Sequence, residues 1–205
     1  MTKEAFESKL IDFVPQRSAD ILTDWIFEHK IALTITRERK TKLGDFKTKG
    51  KNKQLKISVN ANLNSYAFLV TLVHEIAHAI VFKEYGHRTK PHGAEWKTQY
   101  KQLMLIFFAR NIFPDDLARP LAAYMKNPKA SSHSDIRLLK ALQKYDNSNK
   151  SIIRLEDLRE GDHFVLNKRS FIKGQKRRTR YSCIEVKTKR EYAVSGMAEV
   201  EYLNK

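Results

Sequence analysis

The stretch LVTLVHEIAHAIVF at 69–82 restricts the chain's options more than any other. It is apolar enough to be buried, yet it carries two histidines and a glutamate. Leu69, Leu72, Val73, Ile76 and Ile80 recur at helical spacing, which predicts a helix over 65–83 with Ser65 as its N-cap. His74 and His78 are four residues apart, so their imidazoles leave one face of that helix, one turn apart. Buried polar groups without a shared partner are costly. A zinc ion gripped by both rings removes that cost. Glu75 adjoins the first ring and can take a proton from water that such an ion acidifies. An HExxH string arises by composition in roughly one chain of this size per hundred. The apolar setting therefore carries the argument, not the string alone.

A catalytic zinc site needs three protein donors and one open position. Glu84 stands six residues past His78, where a metzincin would place its third histidine, which disfavours that class. His87, His92 and Glu95 remain as candidates. His92 is preferred, because it lies in PHGAEW at the start of the next predicted helix. Gly93 there permits close backbone approach, and Trp96 can anchor the helix start in the core. Tyr66, Tyr85, Tyr100 and several arginines are candidate donors to a developing oxyanion.

Residues 3–28 carry Phe6, Leu10, Phe13, Ile21, Leu22, Trp25 and Ile26 at helical spacing, with a break near Pro15. IALTIT at 31–36 and LKISVN at 55–60 read as strands. The basic stretch between them, with Gly44 and Gly50 as turn signals, makes a β-hairpin or short meander. A helix is expected from about Gly93 to Arg110, after which Pro114, Pro120 and Pro128 break a segment of short helices. A further helix at 134–145 places Ile136, Leu139 and Leu142 on one side. YDNSNKS at 145–151 reads as a linker, and HFVL, YSCIEV and EYAVSG beyond it are short β-like runs. The expected fold is α+β: a mainly helical domain over 1–145 and a small β-rich module over 146–205.

With 205 residues, 41% of them apolar, one good core and a small appendage are within reach. The net charge of +16 points to a polyanionic partner, with nucleic acid ahead of an anionic membrane surface. The first residues lack an apolar signal region, and no run of about 18 apolar residues is evident. Cys183 is alone, so no intrachain disulfide can form. The expected location is the cytoplasm. Two basic segments stand out. Residues 37–56 hold nine Lys and Arg, and residues 168–180 hold seven and no acid. Arg37, Arg39, Lys40 and Lys42 in the first, and Lys173, Lys176, Arg177, Arg178 and Arg180 in the second, are candidate phosphate contacts. Phe171 and Tyr181 are candidate stacking partners. The competing reading is a solvated loop or a hairpin edge blunted by lysine.

The string TLVHEIAHAIVF followed by PHGAEW resembles the SprT-like family, which includes Spartan-type DNA-dependent metalloproteases. LTITRERKTKLGDF and then LKISVNANL are similar to that family's strand, basic turn and second strand before the zinc helix. The resemblance covers roughly residues 20–110. It implies a zincin-like domain with one catalytic Zn²⁺ held by His74, His78 and His92, and Glu75 as general base. It also implies protein substrates bound or crosslinked to DNA. The expected partners are protein substrates and DNA, with single-stranded DNA as one option, and no membrane. Many bacterial members carry a C-terminal zinc ribbon with paired cysteines, and GQKRRTRYSC is similar to part of one. With Cys183 alone, the module is expected to be a degenerate ribbon lacking its cysteines, or an unrelated metal-free β appendage. Cys183 itself is expected to be a small buried hydrophobe. The alternatives are a non-catalytic, zinc-stabilised nucleic-acid-binding protein and a peptidase of free proteins.

Overall fold

A computed structural model describes residues 1–39, 41–49, 54–130, 135–146 and 153–203. The chain divides into two units, Met1–Asn147 and Ser148–Lys205. The first begins with α1 (Lys3–Leu10), a 3-10 turn at Gln16–Ser18 and α2 (Ala19–Glu28). Strands β1 (Ala32–Thr36), β2 (Gly44–Lys49) and β3 (Gln54–Asn60) follow. The unit ends with α3 (Ser65–Tyr85), a 3-10 turn at Gly86–Arg88, α4 (Ala94–Ala109), α5 (Asp115–Met125) and α6 (Ile136–Gln143).

Helix α3 is the axis of this unit. Phe68, Leu69, Leu72, Val73, Ile76 and Ala77 are all fully buried. They cover one half of the helix, and the buried Ala67, Val70, Thr71 and Glu75 cover the other, so it is enclosed rather than one-sided, with β2, β3, α2 and α4 against it. By length and composition α3 could cross a bilayer, which corrects the expectation that no such stretch exists. Yet 67% of its most apolar window is buried within the protein's own core. Its N-cap is Asn64, not Ser65. The Asn64 Oδ1 accepts from the Ala67 amide at 2.9 Å, and Nδ2 donates to the Leu142 carbonyl at 2.9 Å and to Asp146 at 2.6 Å. Serine has no second donor group with which to do the same.

The sheet order is β1-β3-β2. β1 runs parallel to β3, and β2 pairs antiparallel with it. Two expectations are corrected here. The two predicted strands are not partners in a hairpin, and the basic stretch between them contains an edge strand. GDFKTK offers only Phe46 as an inward apolar side chain, so its strand signal is weak, and Lys47 and Lys49 suit an edge. Leu55, Ile57 and Val59 face the core, together with Leu33, Ile35 and Phe46. Pro120 does not break its segment either, because α5 runs through it. The buried stripe of Leu117, Leu121, Tyr124 and Met125 holds the helix together on both sides of the lost hydrogen bond. Of the expected linker, residues 147–151 lie outside the described residues.

The second unit is an antiparallel sheet of β4 (His163–Leu166), β5 (Arg169–Arg177), β6 (Arg180–Glu185), β7 (Glu191–Ser195) and β8 (Glu201–Leu203). Its order is β7-β6-β5-β4-β8. Leu155, Phe164, Phe171, Cys183, Val194 and Val200 form its small core. Cys183 is fully buried, and that burial pushes its thiol pKa up. Strand β5 occupies much of the segment that could have been a solvated loop. Its register shifts between Lys173 and Lys176, and Gly174 lies in that shift. A Cβ on Gly174 would meet the Ser182 carbonyl oxygen at 2.5 Å, so only glycine lets the strands approach there.

Candidate metal centre

His74 and His78 project from consecutive turns of α3. His92 comes from the loop before α4, where it adopts a left-handed φ of 59°. That conformation is uncommon outside glycine, and histidine is among the residues that tolerate it. A turn closes behind it, with the Gly93 amide donating to the Lys90 carbonyl at 2.8 Å, and Gly93 caps α4. The result is a triangle of Nε2 atoms. His74 lies 3.2 Å from His92, His78 lies 3.2 Å from His74, and His78 lies 2.9 Å from His92. A ring nitrogen that carries a proton cannot also accept, so three neutral imidazoles cannot close this triangle with hydrogen bonds. One metal ion can satisfy all three. Zinc–nitrogen bonds of about 2.0–2.1 Å in a tetrahedron set nitrogens about 3.3–3.4 Å apart, close to these edges. The donor set therefore fits a divalent transition metal.

The electrostatics agree with the geometry. Burial, then the two neighbouring imidazoles, pushes His74 down to about 2. Burial and His92 push His78 down to about 4, and burial lowers His92. All three are neutral near pH 7, the form that a metal requires. Among the described residues no fourth His, Cys, Asp or Glu joins the group. His87 packs edge-on against Phe82 instead, with ring centroids 5.0 Å apart. Glu95 is not part of the group either.

Glu75 is 7% exposed and lines a cleft of ≈ 180 Å³ with His74, Thr71, Gly44, Lys42 and Tyr100. Burial raises its pKa to about 8. Asp45 adds to the rise, while Arg39, Lys42 and a hydrogen bond from the Phe46 amide oppose it. Gly44 makes room for this carboxylate: a Cβ there would sit 2.6 Å from Glu75 Oε1 and 2.7 Å from Thr71 Cγ2. On the other side of the triangle, a second cleft of ≈ 340 Å³ is lined by His78, Phe46, Phe82, His87 and Trp96. Strand β2 borders both. The Leu43 carbonyl accepts from the Asn60 amide at 2.9 Å, and the register continues through Asp45↔Ser58 and Lys47↔Lys56. The alternate residues Gly44, Phe46 and Thr48 therefore turn their main-chain groups away from β3.

Comparison with known proteins adds one finding to this geometry. Residues 16–114 match the SprT-like family. The matched segment holds the whole three-stranded sheet, α3, His92 and α4. No curated protein and no solved structure matches the chain.

Of the candidate oxyanion donors in the SprT-like segment, only Tyr100 borders the cleft. It is fully buried, and its hydroxyl donates to the Val70 carbonyl at 3.3 Å. Tyr66 packs on Tyr145 and Phe113, and Tyr85 is exposed. Two candidate phosphate contacts are corrected. The Arg39 guanidinium is spent on its own sheet, donating to Asn60 Oδ1 at 2.8 Å and Ser58 Oγ at 2.9 Å. Lys173 is 4% exposed. Its Nζ donates to the carbonyls of Glu156 and Leu158 and lies 4.1 Å over the Tyr181 ring. Phe171 is in the module core and cannot stack on a base. Lys42 pairs with Asp45 at 3.0 Å, and Arg177 with Glu191 at 3.2 Å. Arg37, Lys176, Arg177, Arg178 and Arg180 are exposed, and Lys40 lies outside the described residues. The roles of Gly44 and Trp96 in framing the centre are what sequence reasoning saw least. The only signals were a glycine in a charged stretch and a tryptophan four residues after His92.

Proposed function

We propose that the chain is a zinc-dependent endopeptidase, acting on proteins bound or crosslinked to DNA. The observation that carries the hydrolytic part is the buried Glu75 carboxylate, next to the nitrogen triangle and open to the same cleft as His74. A structural metal site has no use for such a group. When bound, zinc supplies Lewis acidity that lowers the pKa of water and polarises a carbonyl. Glu75 takes the proton from the attacking water and later delivers it to the leaving amine. Its pKa of about 8 belongs to the metal-free site, and a neighbouring dication favours the carboxylate form that a base needs. The outward main chain of β2 supports a peptide as substrate. An extended chain can pair along that edge, with side chains entering the clefts on either side of the histidines.

The DNA part rests on the family match, the net charge of +16 and the exposed cations Lys176, Arg177, Arg178 and Arg180. The test is cleavage of casein and self-cleavage by pure protein, with and without single-stranded DNA. Glu75→Gln is expected to retain zinc and lose cleavage. A fully active Glu75→Gln variant overturns the assigned base. Activity indifferent to DNA, at low and moderate salt, overturns the recruitment and leaves a peptidase of free proteins.

A further inference from the structure

Trp96 packs against all three histidines of the candidate metal centre. Its ring centroid is 4.5 Å from that of His74, 5.2 Å from His78 and 4.7 Å from His92. Its Nε1 donates to the His74 carbonyl at 3.3 Å. One turn further along α4, Tyr100 stacks on Trp96 at 5.0 Å, and its hydroxyl donates to the Val70 carbonyl at 3.3 Å. Two side chains one turn apart on α4 thus bond two carbonyls one turn apart on α3, with the order reversed, so the helices run antiparallel. Each carbonyl has a second lone pair, so α3 keeps its own ladder intact. Both donors are buried, at 1% and 0% exposure, and neither bond competes with water.

His92 precedes the first residue of α4 by two positions, and its height above His74 and His78 follows from where α4 stands along α3. Packed apolar ridges alone permit small slides between helices. Two directional bonds about 6 Å apart along the axis, four residues on each helix, do not. We infer that Trp96 and Tyr100 are positioning residues: a two-rung clamp that fixes the slide of α4 on α3 and holds His92 Nε2 in bonding range before metal arrives. The inference rests on the metal reading above, but not on proteolysis.

The test uses the full chain and two variants, Trp96→Phe, which keeps a ring and loses the N–H, and Tyr100→Phe, which loses one oxygen. Zinc affinity is read by chelator competition, and ligand geometry by the visible absorption of the Co²⁺-loaded protein. Trp96→Phe is expected to weaken zinc binding by about 10- to 100-fold and to change the Co²⁺ bands, as loss of an outer-shell partner does. Tyr100→Phe should act in the same direction and less. Trp25→Phe is the control. Its ring packs on Phe107 at 5.5 Å, away from the histidines, so it should lower the urea midpoint without moving zinc affinity. If both clamp variants bind zinc as wild type does, with unchanged Co²⁺ bands, the clamp is overturned alone. If the wild-type chain takes up neither ion, the metal reading falls and the clamp with it. Should Trp96→Phe fail to fold, Tyr100→Phe decides the question.

Discussion

The nitrogen triangle of the first unit and the buried charges of the second treat polarity in opposite ways. In the second unit Lys173 donates to two carbonyls of its own chain, and Glu185, 5% exposed, is bound by Arg169 at 2.5 Å and by Thr188. The Arg169 guanidinium holds the Glu185 carboxyl down to about 2. Both buried charges among the described residues there have internal partners. In the first unit three imidazole nitrogens meet at 2.9–3.2 Å with no arrangement of protons that satisfies them, beside a carboxylate that burial drives towards its neutral form. Buried polarity that closes on itself is architecture. Polarity whose donors converge on one point is a candidate site for an ion.

Experiments can break this contrast, and the largest effect belongs to the ligands. His78→Ala should lose stoichiometric zinc and all cleavage, measured by metal analysis of the purified protein. A variant that keeps one zinc per chain would show that the triangle is not the site. Next comes Gly44→Ala. Its Cβ clashes with Glu75 and Thr71, so it should cut activity at least about tenfold while zinc stays bound, at a stability cost of about 1–3 kcal/mol from overpacking. Unchanged turnover would mean that Glu75 is free to move aside without consequence.

Lys173→Ala addresses the closed arrangement. It strips the half-buried Glu156 and Leu158 carbonyls of a donor and should destabilise the second unit by about 1–3 kcal/mol in urea, with zinc affinity unchanged. A change in zinc affinity would link what the contrast keeps apart.

The smallest effect is the pH profile of the metal-stripped protein. His74 and His78 have depressed folded-state values, so the stability they contribute is present above 6.5. It is lost as pH falls towards about 4 for His78 and about 2 for His74. Glu75 has a raised value, so its contribution is full below 4.5 and is lost as pH rises to about 8. Below 6.5 two imidazoles outweigh one carboxyl, and above it the carboxyl acts alone. The urea midpoint should therefore peak near pH 6.5. Glu75→Gln should abolish the decline on the alkaline side, and persistence of that decline would assign it elsewhere.

Much of the first unit could be read from residues alone. A run as apolar as 69–82 has to be buried, and the spacing of four puts His74 and His78 on one face, so the helix and its pair of rings followed from periodicity. His92 followed from its place ahead of Gly93 and Trp96. What escaped reading has a common cause: sequence displays charge and not the partner of that charge. Arg39 and Lys173 look like their exposed neighbours Arg37 and Lys176, yet both are consumed by their own backbone or side chains. Strand β2 was hidden because an edge strand with one inward phenylalanine has almost no alternation to detect. Strand β5 was hidden because one of its inward positions is a lysine. Pro120 misled because a propensity rule yields to a strong buried stripe on either side of it.

Asn64 has a further consequence. It fastens the start of α3 to the Leu142 carbonyl and to Asp146, far beyond the last residue of the family match. Trimming the protein at residue 114 would keep every histidine of the triangle and cut away the moorings of the helix that bears two of them. The smallest autonomous piece should therefore reach through Asp146, some thirty residues past the limit that sequence kinship alone would draw.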